Sequence, residues 1–520
     1  MKKPTKTAAL LAAACLVAAL ASGSASGVKA EPSHAPYLES ATEISRYFYQ
    51  GLSSFADESG KYGFVREDGR VAIPAIYDEV GDFSSLICVA AKDGVHGILD
   101  IAGNFTPVSP WSEHYILTND DAFNGIVVFR DLESRKYGAI TLQGHLITPA
   151  QWDSIGLTGA EGGLTVEKDG RYGIIDERGQ QMIGLAWEYA GFFSGGLARV
   201  KENGLYGYVD HSGDLAIPAA WADAGDFNGG AAPVMTVIDG KERWGLIDMR
   251  GRLLTGLEWQ TAHAVSARLF VVELDGKFGL VDSGGRTLAS PVWGRILKVS
   301  DGLFSVYSGN RYGLMDDSGR LLQPPQWEAL WDFSKGIALV EGGNGNGFID
   351  ERGELLSEPE WDSDYYQYTN SGISDASITE YMTYLREGMI SVYKGEQYGF
   401  LDAGGKVAVP PVWDFATDFS EGLAIVQQNE KTGYVNREGE VVIPLVWGEA
   451  SAFQYGVAPV KEYVPDFGPG LWGLIDRGGK VLVETKWTDT PIVGRGVVFA
   501  PGEDDRYQVY DYQGNRLSGR

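Results

Sequence analysis

The sequence predicts an all-β protein built from about thirteen tandem repeats of about 34 residues each. A pair formed by an aromatic residue and a glycine recurs along the chain, most often 34 residues after the previous pair, as at Tyr172-Gly173 and Tyr206-Gly207. A second glycine follows that glycine by six residues, and tryptophan follows it by fourteen residues in eleven of thirteen copies. A fixed period of this kind is typical of repeat architectures, in which each period forms one supersecondary unit.

We call the glycine of each pair the anchor glycine and number the repeats from it. The anchor positions are Gly63, Gly97, Gly138, Gly173, Gly207, Gly245, Gly279, Gly313, Gly347, Gly399, Gly433, Gly473 and, in the degenerate repeat 13, Gln508. In repeat 5, the segments 196–200, 206–210 and 214–218 predict three short antiparallel strands. Aspartate follows the anchor by three residues in ten of thirteen copies, where it caps a tight turn whose positive φ angle is taken by the second glycine. The stretch after the tryptophan is predicted to be a compact connection, and the tryptophan rings are expected in the core.

These motifs resemble those of the WG-repeat family of bacterial proteins, which carry tandem copies of an aromatic-glycine pair, aspartate and glycine at these spacings. The resemblance covers residues 48–517. Literal Trp-Gly pairs occur at Trp244 and Trp472, whereas Asn346 and Thr432 lack the aromatic ring. The resemblance implies an all-β repeat scaffold and no shared catalytic residue.

The number of repeats bears on their arrangement. Propellers typically have about 4–8 blades, so the sequence favours an open, curved, β-solenoid-like array of three-stranded units over a single ring. The alternative is two propeller-like rings. The expected organisation is an N-terminal linker at 31–47, a first block of repeats at 48–361, an insertion rich in Tyr and Ser at 362–388 and a second block at 389–520.

Residues 1–30 have a basic start, an apolar run and then small residues, the pattern of a secretory signal peptide. The protein is therefore expected outside the cell or on its surface, and a lipoprotein anchored through Cys15 is the alternative. No membrane span is predicted in the mature chain. Cys88 is the one cysteine beyond the leader, so neither a disulfide within the chain nor a cysteine zinc site is expected.

The net charge of −27 repels phosphate backbones, so the sequence predicts no nucleic-acid binding. It contains no H-E-x-x-H motif, no G-x-S-x-G motif and no phosphate-binding loop with its lysine. The recurring aspartates are expected to be turn caps rather than catalysts. We therefore expect no catalytic residue, no metal site, no cofactor and a monomeric protein.

Repetition without a catalytic motif, together with the leader, predicts a secreted scaffold that presents an extended surface to a protein or a cell-envelope glycan. Insertions in repeat proteins often lie on the binding face, so the tyrosines of the insertion are candidate binding residues. Trp331, which lies outside the tryptophan column, is a further candidate. The candidate tyrosines are Tyr365, Tyr366, Tyr368, Tyr381 and Tyr384.

Two alternatives stay open. One is a hydrolase that acts on envelope polysaccharide, with Asp362, Asp364, Glu380 and Glu387 of the insertion as candidate carboxylates. The other is a surface that binds cations through carboxylates of neighbouring repeats, since calcium needs six to eight oxygen ligands.

Overall fold

The computed structural model describes residues 35–83, 86–107, 115–116, 122–123, 126–131, 134–141, 145–157, 161–362, 385–465, 470–502 and 504–517. These residues form β-strands joined by turns, without an α-helix. The prediction of an all-β repeat protein is confirmed. The predicted signal peptide lies outside the described residues. Nowhere in the described ranges is there a helix with the length and apolar character to span a membrane.

The strands follow the repeats. Those of repeats 1 to 4 are β1 (Glu43–Ile44), β2 (Leu52–Ala56), β3 (Tyr62–Arg66), β4 (Val71–Tyr77), β5 (Glu79–Val80), β6 (Ile87–Lys92), β7 (Val95–Asp100), β8 (Phe105–Pro107), β9 (Tyr115–Ile116), β10 (Ala122–Phe123), β11 (Ile126–Asp131), β12 (Tyr137–Thr141), β13 (Leu146–Trp152), β14 (Ser154–Leu157), β15 (Leu164–Lys168), β16 (Arg171–Ile175) and β17 (Gln181–Trp187). Those of repeats 5 to 9 are β18 (Tyr189–Ser194), β19 (Leu197–Glu202), β20 (Leu205–Val209), β21 (Leu215–Trp221), β22 (Asp223–Ala224), β23 (Ala231–Ile238), β24 (Lys241–Asp248), β25 (Thr261–Ser266), β26 (Leu269–Leu274), β27 (Lys277–Asp282), β28 (Thr287–Trp293), β29 (Arg295–Ser300), β30 (Leu303–Ser308), β31 (Arg311–Asp316), β32 (Leu321–Trp327), β33 (Ala329–Leu330), β34 (Ile337–Gly342), β35 (Gly345–Asp350) and β36 (Leu355–Trp361). Those of repeats 10 to 13 are β37 (Met389–Lys394), β38 (Gln397–Asp402), β39 (Val407–Trp413), β40 (Phe415–Ala416), β41 (Ala424–Gln428), β42 (Lys431–Val435), β43 (Val441–Ala450), β44 (Val457–Glu462), β45 (Trp472–Asp476), β46 (Val481–Trp487), β47 (Ile492–Gly494), β48 (Val497–Pro501) and β49 (Tyr507–Asp511).

The repeats form antiparallel sheets in which strands pair in chain order, except that β9 pairs with β11. Most described sheets have four strands rather than the predicted three, because the stretch after the tryptophan is itself a short strand. In repeat 5, for example, Tyr189 pairs with Lys201 only two residues after Trp187 of the preceding repeat. Strands β40 to β46 form one continuous sheet that carries repeats 11 and 12.

The anchor glycine is required by a close crossing of two backbones. In repeat 5 the last strand is bulged between the partners of Tyr206 and Tyr208, and its backbone crosses directly over Gly207. A Cβ atom at Gly207 would lie 2.6 Å from the carbonyl oxygen of Ile217, well inside contact distance. The corresponding carbonyl, ten residues after the anchor, blocks a Cβ at Gly63, Gly173, Gly279, Gly313, Gly347, Gly433 and Gly473 in the same way.

The predicted aspartate turn is also confirmed. Asp210 Oδ1 accepts the backbone N–H groups of Ser212 (2.8 Å) and Asp214 (3.1 Å). The N–H of Gly213 donates to the carbonyl oxygen of Asp210, and Gly213 has a φ of 81°. The carboxylate therefore satisfies backbone donors at the turn.

The core lies between successive sheets. Between repeats 4 and 5, for instance, Ile174 and Phe193 pack with Val200 and Val209. The tryptophan column belongs to these layers, as expected: Trp152, Trp259, Trp327, Trp361, Trp413 and Trp487 are buried, and Trp187, Trp221, Trp293 and Trp447 are half-buried. Trp111 lies outside the described residues.

The arrangement of the sheets differs from the favoured open array, because the two ends of the array meet. Leu38, Ala41 and Ile44 from the N-terminal segment share one core cluster with Val497 and Phe499 of repeat 13. The described sheets thus form a closed ring, and we call the junction of the last and first sheets the seam. The alternative division into two rings at 362–388 is not found, because Trp361 before this insertion packs with Ile390 after it.

The N-terminal segment closes the seam by completing the last sheet. Strands β47 to β49 form a sheet of three strands, and β49 exposes an edge that in other repeats is covered by the strand ending in tryptophan. Ala41 takes that place: it and Tyr507 exchange two backbone N–H···O bonds of 2.9 Å each. Residues predicted as a linker are thus part of the ring from Tyr37 onward, where Tyr37 pairs with Arg70.

The hydrogen bonding of buried tryptophan N–H groups predicts opposite effects on stability for two substitutions. The Nε1–H of Trp152 donates to Thr148 Oγ1 (2.7 Å), four residues earlier in the same strand. Among the described residues, Nε1 of buried Trp413 has no partner, and Val409 stands at the position of Thr148. We expect Val409→Thr to stabilise the protein by about 1 kcal/mol and Thr148→Val to destabilise it by about 1–3 kcal/mol, because a buried unpaired donor is costly. Urea unfolding of both variants measures this; shifts of the same sign in the two would contradict it.

Candidate binding site at the seam

A cleft of about 350 Å³ opens at the seam. Segments far apart in sequence form it: residues 46–48 from the N-terminal segment, residues 451–459 of repeat 12, residues 490–493 of repeat 13, and Glu67 from the first repeat. The cleft therefore exists only because the two ends of the array meet. Its lining is Arg46, Tyr47, Phe48, Glu67, Ser451, Ala452, Gln454, Tyr455, Pro459, Thr490, Pro491, Ile492 and Val493.

The floor of the cleft is apolar and its rim is aromatic. Pro459, Pro491 and Ile492 are buried. Two tyrosines at the rim are unusually open to solvent, with exposed fractions of 65% for Tyr47 and 43% for Tyr455. A concave apolar floor with a few polar groups around it is the common form of a small-ligand site.

The charged groups around the cleft are paired with one another. Arg46 contacts Asp489 at 3.4 Å, and Asp489 also accepts the Tyr507 hydroxyl at 2.7 Å. On the other side, Glu67 accepts the Tyr455 hydroxyl at 2.8 Å and pairs with Arg495 at 3.5 Å. These contacts also join the first repeat and the N-terminal segment to repeats 12 and 13.

The tyrosines in these pairs stay protonated at neutral pH. Burial, reinforced by the carboxylate of Asp489, raises the pKa of Tyr507 to about 12. Burial and the hydrogen bond to Glu67 likewise raise the pKa of Tyr455 above its ordinary value. Burial would raise the pKa of Asp489, but the Tyr507 hydroxyl, the Thr490 N–H and Arg46 together hold it below its ordinary value. Each phenol therefore remains a hydrogen-bond donor to a charged carboxylate.

Three uncharged polar side chains face the cleft without a hydrogen-bond partner among the described residues. They are the hydroxyl of Ser451, the amide of Gln454 and the hydroxyl of Thr490. The backbone of Ser451 is held, because its carbonyl oxygen accepts the Tyr434 hydroxyl at 2.8 Å. The cleft thus offers uncharged donors and acceptors above an apolar floor.

The candidate binding residues from the sequence lie elsewhere. Tyr365, Tyr366, Tyr368, Tyr381 and Tyr384 lie outside the described residues. Trp331 is half-buried rather than exposed: its side chain packs against the core formed by Ile337 and Leu339, and its backbone N–H donates to the carbonyl oxygen of Leu339 at 3.1 Å. Its role in binding stays a prediction.

The described carboxylates of the hydrolase alternative make structural contacts. Asp362 Oδ2 accepts the N–H of Gly395 at 2.7 Å. The two oxygens of Glu387 accept the N–H groups of Glu421 (2.7 Å) and Gly422 (2.8 Å), which links one repeat to the next. Asp364 and Glu380 lie outside the described residues. Across the described ranges, no group of three or more His, Cys, Asp or Glu side chains is placed to hold a metal ion.

Sequence reasoning missed the seam cleft, although one signal was present. The turn before the second strand of a repeat reads Ser-Glu-Gly at 420–422 in repeat 11 and Gln-Tyr-Gly at 454–456 in repeat 12. Tyr455 therefore places an aromatic ring where the neighbouring repeat has a charged side chain. Its partner Glu67 is 388 residues away in sequence, and no local pattern connects the two.

The ring of small antiparallel sheets defines an all-β repeat protein. The resemblance to the WG-repeat family is confirmed, because the model of the WG containing repeat matches the chain six times, at residues 62–89, 172–206, 206–241, 312–344, 398–431 and 433–463. No curated protein matches the sequence.

Solved structures are similar at low identity. A eukaryotic initiation factor is 12% identical with a TM-score of 0.33, over 74% of this chain and 98% of that one. The extracellular domain of the putative one component system BT4673 from B. thetaiotaomicron is 8% identical with a TM-score of 0.20, over 92% and 82%. Hsv2p of Kluyveromyces lactis is 8% identical with a TM-score of 0.27, over 45% and 91%.

Proposed function

We propose that this protein is a secreted, non-catalytic scaffold that binds a component of the cell envelope at the seam cleft. The observation that carries the proposal is the cleft itself, where unpaired polar side chains and exposed tyrosines surround an apolar floor. Binding sites combine these features, because apolar contact supplies affinity and a few fixed polar groups supply orientation. The leader at residues 1–30 supports the location outside the cell.

The role of the aspartate that recurs in the repeats supports a scaffold over a hydrolase that would use this residue. The aspartate of the repeats is a turn cap, as in repeat 6, where the backbone N–H and the guanidinium of Arg252 hold the pKa of Asp248 below its ordinary value. A carboxylate held ionised in this way suits a structural cap. A general acid instead needs a raised pKa.

The test is retention of purified envelope polymers on the immobilised mature chain. Envelope polysaccharide and envelope protein are applied separately, and the retained mass is measured. We expect one fraction to be retained and Tyr47→Ala to reduce its retention. Phe192→Ala is the matched control, because Phe192 is an exposed aromatic residue of repeat 5, far from the seam. Retention of neither fraction, or release of reducing ends from the polysaccharide, would overturn the proposal.

A further inference from the structure

We infer that the seam cleft binds a neutral saccharide of one or two rings. This inference rests on the proposed function and names the class of ligand for the same site. The paired charges, the uncharged polar groups, the aromatic rim and the size of the cleft each point to this class.

The charges around the cleft disfavour an ionic ligand. Glu67 is shared by Tyr455 and Arg495, and Asp489 is shared by Arg46 and Tyr507. The two cations and two anions cancel, so the charged groups at the cleft give an anionic or a cationic ligand no net electrostatic attraction. The uncharged groups that remain therefore determine what binds.

Those uncharged groups match sugar hydroxyls. The hydroxyls of Ser451 and Thr490 both donate and accept, and the amide of Gln454 offers one acceptor and two donors. A sugar hydroxyl has the same dual capacity, so it can accept from or donate to each of these side chains. Leaving such groups unpaired under an apolar ligand would cost free energy.

The aromatic and apolar surfaces of the cleft are complementary to the C–H groups of a sugar ring. A pyranose ring presents a face of C–H groups, which packs against aromatic rings and apolar floors. Tyr47 and Tyr455 provide the rings at the rim, while Pro459, Pro491 and Ile492 provide the floor. The hydroxyl of Tyr455 is held by Glu67, so this ring is fixed before any ligand arrives.

The volume sets the length of the ligand. At about 350 Å³ the cleft is near the lower end of the range for small-ligand sites, about 300–1,000 Å³. One or two sugar rings fill it, and a longer chain would extend out over the rim past Tyr47.

Calorimetric titration of the mature chain tests the inference with cellobiose and chitobiose as neutral probes and digalacturonate as the acidic one. We expect a neutral disaccharide to bind and digalacturonate to bind at least tenfold more weakly. We expect the double variant Gln454→Ala, Thr490→Val to weaken the neutral disaccharide at least tenfold, and Phe192→Ala to leave its affinity unchanged. Thermal unfolding confirms that each variant is folded. Tyr455→Phe retains the aromatic ring, so we expect it to lose less affinity for the neutral disaccharide than Tyr455→Ala.

The outcomes separate this inference from the proposed function. Tighter binding of digalacturonate, or equal neutral binding by the double variant, would overturn the inference. Retention of an envelope fraction by a chain that binds none of the three disaccharides would overturn the inference and leave the proposed function standing. If no fraction is retained either, both fail.

Discussion

Replacing Gly347 by alanine is expected to destabilise the protein by about 3 kcal/mol, the upper end of the usual cost of overpacking. The added Cβ would lie 2.6 Å from the carbonyl oxygen of Ser357 and 2.9 Å from the nitrogen of Pro359. Both atoms belong to the backbone of the crossing strand, which cannot move aside as the end of a flexible side chain could. Relief would require separating β35 from β36, which bury Phe348 and Trp361 between repeats 9 and 10.

The matched control lies four residues earlier in the same repeat. Gly343 has no positive φ, and a Cβ there would meet no atom within 4 Å. Gly343→Ala is therefore expected to change the free energy of unfolding by less than about 0.5 kcal/mol, as for an ordinary surface substitution. Urea unfolding of the two variants measures the difference. Equal midpoints would show that the anchor glycine is not needed for the crossing.

A chain that begins at residue 45 is expected to be about 5 kcal/mol less stable than one that begins at residue 35. The shorter chain lacks Leu38 and Ile44, whose exposed fractions in the ring are 3% and 7%, and full burial of such a side chain contributes about 1.5–3 kcal/mol. It also lacks the two backbone hydrogen bonds between Ala41 and Tyr507. The edge of β49 and the apolar core beside it then become open to solvent.

Thermal unfolding compares the two chains, and the chain that begins at residue 35 is the control for shortening as such. We also expect Leu38→Ala alone to lower the stability by about 2–5 kcal/mol, the range for a buried Leu→Ala change. An unchanged unfolding temperature in the chain that begins at residue 45 would contradict the assignment of these residues to the seam.

The sequence was sufficient to predict the repeat because the constraints on it are local. The anchor glycine and the bulged strand that blocks its Cβ are ten residues apart, so Gly207 and Ile217 carry their signal within one period. The turn is equally local, since Asp210 caps donors two and four residues later. Such constraints recur in most copies, and comparison of the copies with one another makes them visible.

The seam could not be predicted because its contacts are long-range and occur once. Ala41 replaces a tryptophan opposite Tyr507, and nothing in a lone alanine indicates a strand partner 466 residues later. The prediction of an open array rests on the number of blades in propellers, which is typically about 4–8. The ring in the structure contains more sheets than a propeller of that size. The cleft could not be predicted for the same reason. Tyr47, Glu67 and Tyr455 belong to segments that meet only at the seam.

Small-angle X-ray scattering of residues 31–520 tests the closed ring most directly. The chain that begins at residue 45 serves as the opened reference. The closed ring predicts a smaller maximum dimension and radius of gyration for the longer chain than for the shorter one, although the longer chain has more residues. An elongated particle from residues 31–520, with a scattering profile that matches the shorter chain, would contradict the closed ring and remove the basis for the seam cleft.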